Sequence, residues 1–416
     1  MQTTGDVPER AKKAILYIGG FELPDKNAAA QRVVSNGKLF AELGYSVYYL
    51  GIDRTLTESK PIETTKKVFE GFEYYRLKYP SGLSNWMHYI TSITDIVKIA
   101  NKIDSLEYII AYNYPALALV KLNGWCKSKN IRLISDCTEW YDPQGTFLYK
   151  TIKQFDTYLR MKVIQPKLDG LIVISGYLYS FYAGRMKNVI QLPPLVDSGA
   201  EKWTNNCLNS SKEIVLAYAG SPGKFAKDRL DSLLQALAVI KAETSIRFTL
   251  NVVGLTKEQF VEDFGAGPFP ETLEKEVSFK GRLPHTDALN EIKCADYALF
   301  LRDYNLVNTA GFPTKFVEAL SCGTPVLTNA SSNITDYLKE GENGYLLDNS
   351  STATLVRTLS FAMTQTKGHI QSMKGAIRKS NIFDYRNYTT AFSNFLGKIE
   401  AGENDKELRK LSKENS

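Results

Sequence analysis

The sequence contains no apolar run that approaches the roughly 20 residues of a membrane-spanning helix. Its first residues, 1–13, also lack the apolar core of a secretory signal peptide. We therefore expect a cytoplasmic protein, which could still work at the inner face of the membrane.

Cysteine and histidine are scarce as well. The chain has five cysteines and three histidines, and no two cysteines form a Cys-x-x-Cys pair. An odd number of cysteines without metal-ligand spacing is typical of reduced intracellular thiols. The pattern thus predicts neither a zinc site nor a disulfide framework.

Two nucleotide-binding fingerprints are missing, the G-x-G-x-x-G pattern of dinucleotide-binding domains and the Walker A pattern of P-loop proteins. The formal net charge of +6 is modest. Lysines and arginines are spread through both halves of the chain without an aromatic RNA-binding signature. We therefore expect no nucleic-acid partner, although a non-enzymatic nucleic-acid or regulatory binding protein remains the alternative of another class.

With 44% hydrophobic and 23% charged residues, the composition is typical of a globular enzyme. A length of 416 residues exceeds one ordinary core and predicts two domains. In both halves, apolar runs of strand length alternate with segments of helical periodicity. This alternation is typical of α/β domains with parallel sheets. The connection between the halves is predicted at residues 192–197.

The most informative stretch is residues 311–326, Gly-Phe-Pro-Thr-Lys-Phe-Val-Glu-Ala-Leu-Ser-Cys-Gly-Thr-Pro-Val. Its apolar spacing predicts a short helix, which Gly323 and Pro325 end. The N–H groups at the start of this helix would lie beside Lys315, and helix N-termini of this kind bind anions. Glu318 in the first turn could accept hydrogen bonds from two hydroxyls, although the helix dipole alone also favours a glutamate there.

Residues 313–326 resemble the donor-site motif of the family 4 retaining glycosyltransferases. That family has the GT-B fold, two Rossmann-like α/β domains facing each other across a cleft. The resemblance implies that the loop and the helix N-terminus hold a nucleoside diphosphate and that Glu318 holds the ribose. The first glutamate of the family's Glu-x7-Glu pattern falls on Ala310, which is not acidic.

A second glycine loop opens the downstream half, where a predicted strand ends at Gly220 and a basic loop precedes a helix. Backbone N–H groups in such a loop can approach a phosphate closely. The family has Gly-Arg at this point, whereas this chain has Gly220-Ser221. The resemblance therefore assigns the positive charge at the diphosphate to Lys224 or Lys227, of which Lys227, next to the helix start, is preferred.

The remaining donor contacts are implied by the same resemblance. The residues assigned to the diphosphate are Gly220, Ser221, Gly223, Lys224, Pro313, Thr314, Lys315 and Phe316. Those assigned to the nucleoside are Arg282, Leu283 and Glu318, and those assigned to the donor sugar are Arg302, Gly311 and Phe312. A solvated surface arginine is the simpler interpretation of Arg282.

Two carboxylates, Asp136 and Glu139, follow a predicted strand at the position where open α/β sheets bind ligands. They are candidates for holding or deprotonating the acceptor hydroxyl, although either could instead cap the next helix. Gly19 and Gly20, after the first strand, match the family's cleft loop, and a tight turn is the alternative. The catalytic candidates are therefore Lys227, Glu318, Glu139 and Asp136.

The resemblance also sets domain bounds. It places an acceptor-binding domain at residues 1–195, a donor-binding domain at 196–382, and a C-terminal helix that returns to the first domain at 383–399. The polar residues 400–416 are expected to be disordered.

The implied reaction moves a sugar, with retention of configuration, from a UDP- or GDP-type nucleotide sugar to a hydroxyl of a glycan or lipid-linked acceptor. Surface polysaccharide or glycoconjugate assembly would be its setting. No Asp-x-Asp pair occurs, so we expect no metal cofactor. Helix N-termini with Lys227 and Lys315 would stabilise the departing diphosphate. A nucleotide-sugar epimerase or hydrolase on the same scaffold is the alternative enzyme.

Two segments of the first half, 79–93 and 147–164, carry aromatic residues of the exposed type, and the second also holds Lys150, Lys153, Arg160 and Lys162. Helices of this composition can lie on an anionic membrane surface, which would suit a lipid-linked acceptor. Core-facing helices with a solvated basic side are the commoner case.

Overall fold

The computed structural model describes residues 12–24, 27–56, 62–141, 146–205, 207, 211–220, 227–264 and 269–414. The chain divides into two compact units. The upstream unit comprises residues 1–195 and 385–416, and the downstream unit comprises residues 196–384.

The upstream unit is built on an eight-stranded sheet of order β3-β4-β2-β1-β5-β6-β7-β8. Its elements are β1 (Ala14–Gly19), α1 (Ala28–Glu42), β2 (Ser46–Asp53), β3 (Ile62–Phe69), β4 (Phe72–Lys78), α2 (Gly82–Thr91), α3 (Thr94–Ala100), β5 (Leu106–Tyr112), α4 (Ala116–Ser128), β6 (Arg132–Cys137), α5 (Phe147–Tyr158), β7 (Gly170–Val173), α6 (Gly176–Ala183) and β8 (Val189–Gln191). All neighbouring strands are parallel except β3 and β4, which pair antiparallel.

Both faces of this sheet are covered, as expected for parallel strands. Side chains alternate along β1, so that Ile15 and Tyr17 enter the core on one face while Leu16 and Ile18 enter the core on the other. Helices α2 and α3 are separate because the chain is extended at Ser92 between them.

The downstream unit is built on a six-stranded, wholly parallel sheet of order β11-β10-β9-β12-β13-β14. Its elements are β9 (Ile214–Ala219), α7 (Leu230–Glu243), β10 (Phe248–Val253), α8 (Lys257–Phe264), β11 (Val277–Phe279), α9 (His285–Cys294), β12 (Tyr297–Phe300), α10 (Leu306–Ala310), α11 (Thr314–Ser321), β13 (Val326–Thr328), β14 (Gly344–Leu346), α12 (Thr352–Met363) and α13 (Lys367–Ser380). The short helix predicted within residues 311–326 is α11, which lies between α10 and β13 in the chain.

The last helix, α14 (Thr389–Glu414), returns to the upstream unit. Phe392 stacks on Phe40 of α1 with ring centroids 4.6 Å apart, and a Cβ at Gly170 of β7 would meet the side chains of Phe395 and Ile399. The predicted return of the C-terminal helix is therefore confirmed. The helix continues to Glu414 where a disordered tail from residue 400 was expected, since this polar segment consists largely of good helix formers.

One disulfide contradicts the prediction of reduced thiols throughout. Cys207 and Cys294 are bonded with Cα atoms 5.2 Å apart, while Cys126, Cys137 and Cys322 are buried free thiols. The two bonded cysteines are 87 positions apart, so spacing carried no signal of the pair. They meet because the segment entering the downstream unit runs past the end of α9, where the Asn205 amide donates to the Lys293 carbonyl over 3.2 Å.

Among the residues that the structure describes, no helix is both long enough and apolar enough to cross a membrane.

Candidate active site

The second glycine loop and the lysine of the 311–326 motif meet at the carboxyl edge of the downstream sheet. Gly220 directly follows β9 with φ of +145°, and a Cβ there would overlap the end of the Lys315 side chain. Gly254 directly follows β10 with φ of +110°, and a Cβ there would overlap the Gly220 carbonyl. Glycine is required at both positions because the lysine and the backbone approach so closely. Two features recognised separately in the sequence thus lie together at this edge.

A buried carboxylate, Asp228, holds two cations at this edge. Lys315 Nζ lies 2.6 Å from Asp228 Oδ2, and Arg302 Nε donates to Oδ1 over 3.2 Å. The Tyr218 hydroxyl adds a hydrogen bond of 2.9 Å to Oδ2. Burial by itself would raise the pKa of Asp228, but the charges of Lys315 and Arg302 lower it below its ordinary value. The cluster of one carboxylate and two cations therefore keeps a net positive charge.

Asp228 was not among the residues selected from the sequence. Its signal was its position, directly after Lys227 and two residues before α7 (Leu230–Glu243). Lys227 itself is exposed, beside this cluster in sequence. The predicted contacts Ser221, Gly223 and Lys224 lie outside the described residues.

The backbone at Arg302 is fixed by a buried amide after β13. Asn329 Oδ1 accepts from the Arg302 N–H over 2.9 Å, and Asn329 Nδ2 donates to the Arg302 carbonyl over 2.8 Å. Asp228 and Arg302 also form an isolated antiparallel bridge. The guanidinium is therefore held by its own loop as well as by the carboxylate.

The N-terminus of α11 carries its lysine with no side-chain cap on the helix. Thr314 and Lys315 are half-buried, whereas the Phe316 N–H donates to the Pro313 carbonyl over 3.1 Å. Phe316 is a poorer diphosphate contact than predicted, because its side chain is fully buried and its N–H already has an acceptor. Free N–H groups at such a terminus favour an anion.

Two predicted ligand contacts instead anchor the helix. Phe312 and Phe316 pack edge-on against Phe383 with centroids 6.2 and 6.0 Å away, and Phe312 also meets Tyr337 at 5.5 Å. Gly311 donates its N–H to the Val307 carbonyl. The buried Phe312 side chain therefore supports the loop from below, and a sugar contact by that side chain is not favoured.

Glu318 faces a histidine that the sequence did not single out. His285 Nε2 lies 3.6 Å from Glu318 Oε1, and both side chains are partly exposed. His285 is the first residue of α9 and follows the turn that contains Arg282, which is exposed, and Leu283, which is half-buried. The Gly281 carbonyl in this turn accepts from the Gly254 N–H over 2.8 Å. The turn, Glu318 and the glycine at the end of β10 therefore share one edge of the unit.

In the upstream unit, Asp136 forms a buried ion pair and has a structural role. Its side chain is fully buried at the end of β6, where Arg32 donates to both carboxylate oxygens over 2.8 and 2.9 Å. The Tyr17 hydroxyl donates to the same carboxylate over 2.5 Å. Arg32 also binds the carbonyls of Leu192 and Pro193, at the end of the unit. Through Tyr17 and Arg32, Asp136 thus connects β6 with β1, with α1 and with residues 192–193, and it caps no helix.

Glu139 keeps an accessible position beyond the same strand, where it is half-buried. Burial raises the pKa of Tyr112 and of Tyr141, and the nearby Glu139 charge raises both further. The Arg160 guanidinium lies over the Tyr141 ring, 5.0 Å from its centroid. Of the two acceptor-side carboxylates, Glu139 is therefore the one that a ligand could reach.

Gly19 and Gly20, at the end of β1, differ in the space around them. Gly19 has φ of +151°, and a Cβ there would lie 2.7 Å from the Tyr112 carbonyl oxygen, so close packing explains this glycine. Gly20 is exposed with open space around its Cα.

Within the described ranges, no group of three or more histidine, cysteine, aspartate or glutamate side chains is arranged to hold a metal ion.

Residues 207–379 match the family model described as glycosyl transferases group 1. No protein of curated function matches the chain in sequence. Among solved structures, sucrose-phosphate synthase from Thermosynechococcus elongatus is similar with a TM-score of 0.65 at 14% identity, over 94% of this chain and 100% of that one.

Two further structures are similar over almost their whole length. Anabaena HepE, solved in complex with UDP, has a TM-score of 0.61 at 16% identity, over 92% of this chain and 100% of that one. The lipopolysaccharide outer core galactosyltransferase WaaB has a TM-score of 0.59 at 16% identity, over 92% and 99%. At such identities the likeness shows the fold, which is GT-B.

The fold and the family-model match together define a glycosyltransferase of the GT-B type. The residues that match the group 1 model, 207–379, all lie in the downstream unit.

Proposed function

We propose that this glycosyltransferase moves a sugar from a nucleoside-diphosphate sugar to a hydroxyl of a glycan or lipid-linked acceptor, with retention of configuration and without a metal cofactor. The observation that carries the proposal is the meeting of Gly220, Lys315 and Arg302 at the start of α11. A diphosphate is the ligand whose charge matches two held cations and an uncapped helix N-terminus.

The chemistry follows from the leaving group. Cleavage of the sugar–phosphate bond increases the negative charge on the diphosphate, so groups that bind the charge more strongly in the transition state accelerate the reaction. Lys315, Arg302 and the N–H groups of α11 are assigned this role, and Lys227, which is exposed and precedes Asp228 in the chain, is assigned a further positive charge. The departing phosphate would take the acceptor proton on the face that it leaves.

The nucleoside is assigned to the second turn of α11, where Glu318 is the fifth helical residue and lies beyond the first turn in which it was predicted. Glu318 accepts from the two ribose hydroxyls, and the turn with Arg282 and Leu283 lies against the base. His285, 3.6 Å from Glu318, orients the carboxylate. HepE, which has the same fold, was solved with UDP and also with UDP and glucose, and this favours a UDP-type donor.

On the acceptor side, Glu139 remains the candidate for holding or deprotonating the acceptor hydroxyl. A role in glycoconjugate or surface polysaccharide assembly is supported by the fold shared with WaaB, which acts in the lipopolysaccharide outer core.

Helix α5 supports a lipid-linked acceptor and contact with the membrane surface. Four of its large apolar or aromatic side chains are exposed, Phe147, Ile152, Phe155 and Tyr158. Phe147 is 86% exposed and Phe155 62%, and the same helix carries Lys150 and Lys153. Apolar side chains beside lysines bind the interface of an anionic bilayer.

The donor half of the proposal is tested with a panel of UDP- and GDP-sugars. Thermal shift identifies the nucleotide sugar that raises the melting temperature, because a ligand that binds the folded state stabilises it. Release of nucleoside diphosphate is then measured with and without glycan acceptors, and NMR of the product reads the anomeric configuration. Turnover without any acceptor would instead indicate the epimerase or hydrolase, and turnover lost in EDTA and restored by a divalent cation would overturn metal independence.

The membrane part is tested by co-sedimentation with vesicles of phosphatidylcholine, with or without phosphatidylglycerol. We expect binding only to the anionic vesicles, and we expect the double variant Phe147→Ser/Phe155→Ser to lose it. Phe361→Ser in the downstream unit is the matched control, since Phe361 is also a well exposed phenylalanine, at 59%. Equal binding by wild type and the α5 variant would remove α5 from the proposal.

A further inference from the structure

A recess opens in the upstream unit just past the end of β4, outside every site assigned above. It has a volume of about 80 Å³ and lies between the strand end, α2, α3 and the residue Tyr114 after β5. Its principal lining residues are Tyr79, Asn85, His88, Tyr89, Asp95 and Tyr114. A water needs about 10–15 Å³, so the recess has room for about five to eight waters, comparable to one sugar ring.

The recess shares an edge of the sheet with the acceptor-side carboxylate. Strands β4, β2, β1, β5 and β6 are mutually parallel, so their carboxyl ends lie along one edge. The recess follows β4 and Glu139 follows β6. Ligands of open α/β sheets bind along this edge.

Helix α2 forms the outer wall of the recess although none of its residues is buried. It is held by a chain of aromatic contacts: Tyr79 to Trp86 at 5.7 Å, Trp86 to Tyr89 at 5.9 Å, and Tyr89 to Tyr114 at 5.7 Å. Its inward residues Asn85, His88 and Tyr89 line the recess. The helix therefore packs on the core through Tyr89, while Asn85 and His88 stay exposed beside the recess.

The lining has the chemistry of a carbohydrate site. Aromatic side chains offer apolar faces to the C–H groups of a sugar ring and polar hydroxyl tips at their ends. The Asn85 amide donates to the Ser81 carbonyl over 2.8 Å and keeps a second donor and an acceptor. Asp95 accepts, and His88 Nε2 lies 3.7 Å from the Asp95 carboxylate. A few placed polar groups in an apolar wall are typical of small-molecule sites. The alternation of donors and acceptors suits the hydroxyls of a sugar better than a phosphate, for which the cavity offers one lysine, Lys78.

We propose that this recess is a subsite for one glycosyl unit of the acceptor. The role of that unit as an acceptor rests on the proposed function, whereas sugar binding in the recess is measurable without turnover.

The test is saturation-transfer difference NMR on the full chain with the methyl glycosides of glucose, galactose and N-acetylglucosamine and with glucuronate. We expect at least one sugar to receive saturation at its ring C–H protons. The variant Asn85→Ala/His88→Ala should weaken that signal about tenfold, the loss expected for two hydrogen bonds of about 0.7 kcal/mol each. Because both residues are exposed, the fold should be retained, as checked by circular dichroism. Asn101→Ala, an exposed asparagine at the end of α3, is the control.

Two further measurements separate this proposal from the donor site. Lys315→Ala should abolish the thermal shift by UDP and keep the sugar signal. Asn85→Ala/His88→Ala should keep the thermal shift by UDP and weaken the sugar signal. If no sugar receives saturation, if the double variant keeps the full signal, or if Lys315→Ala removes it, the recess is not the subsite. Should the double variant unfold, the single variant Asn85→Ala is used instead, and we expect it to weaken the sugar signal about threefold.

Discussion

The ammonium group of Lys315 lies 2.6 Å from the buried carboxylate of Asp228, and the side chain reaches that position by crossing over Gly220. One residue of the 311–326 motif is thereby held against the end of β9, 95 positions earlier in the chain. This arrangement makes the site sensitive to changes at each of the three residues.

Removal of the ammonium should reduce donor turnover strongly. Lys315→Ala and Lys227→Ala are each expected to lower kcat/KM by about two to three orders of magnitude, because each removes a positive group from the leaving diphosphate. Nucleoside diphosphate release measures this. Lys257→Ala is the matched control, since Lys257 is a lysine of the same unit paired with a carboxylate, Glu274. Activity within twofold of wild type in either variant would take that lysine out of the site.

Glu318 should act on the ribose. Glu318→Ala is expected to weaken UDP binding by about two orders of magnitude, since two hydrogen bonds to a charged group are lost. Calorimetry with UDP and 2′-deoxy-UDP tests the assignment, because the wild type should discriminate between them and the variant should not. His285→Ala should lower the affinity by a smaller factor, and Glu291→Ala on α9 is the control. Equal discrimination in wild type and Glu318→Ala would contradict the role.

Gly220 should not tolerate a side chain. In Gly220→Ala the methyl group would displace the end of Lys315, and φ of +145° strains an alanine. We expect UDP binding to fall at least as far as in Lys315→Ala, with a loss of about 1–3 kcal/mol in stability. Gly341→Ala is the control for backbone strain alone, since Gly341 has φ of +75° and its nearest neighbour, the Tyr345 hydroxyl, would be 3.9 Å away. Retained UDP affinity in Gly220→Ala would show that the crossing of Lys315 over the glycine is unimportant.

Asp228 should make stability depend on pH. Its pKa is lowered in the folded state by Lys315 and Arg302, so its stabilisation is complete above the unfolded value near 3.8 and is lost as the pH falls through the lower, folded value. Asp228→Asn should therefore cost about 2–4 kcal/mol at pH 7, since it leaves two largely buried cations without their anion. The difference from wild type should shrink as the pH falls below about 4. Urea unfolding of both proteins at several pH values measures it, and a difference that is constant with pH would contradict the ionised pair.

The Cys207–Cys294 bond should contribute to stability under oxidising conditions. It closes a loop of 87 positions, for which chain entropy predicts about 4–5 kcal/mol as an upper value. Cys207→Ser should lower the melting temperature in the absence of reductant and should remove the effect of dithiothreitol. Cys126→Ser, at a buried free thiol, should leave the dithiothreitol effect intact. A wild-type melting temperature that is unchanged by dithiothreitol would show that the bond is not formed.

Local pattern predicted most of the elements near the site. Apolar runs gave β9 and β12 within a residue or two, and Phe316, Ala319 and Leu320 at helical spacing gave α11, because burial of one face dictates the period of apolar residues. The antiparallel strand β3 was missed, since its central residues 65–67 are exposed and polar and carry no such pattern.

The residues selected for the site lie together only in part. Lys315, Gly220 and Arg302 were selected one by one, and the structure brings them together. Asp228 and His285 were missed because their roles come from partners that are distant in sequence, and Asp136 was misjudged because a strand-end carboxylate looks the same whether it faces a ligand or the buried Arg32.

The sequence by itself determined the α/β class, the division into two halves, and the lysine-bearing helix with its glycine loop, since these depend on periodicity and on residues near one another in the chain. Only the tertiary structure decided that Asp228 forms ion pairs with both Lys315 and Arg302. The same holds for the ion pair of Arg32 with Asp136 and for the disulfide between Cys207 and Cys294. Each of these depends on two or more segments that pack side by side, and the distance between such segments is not encoded in the local order of residues.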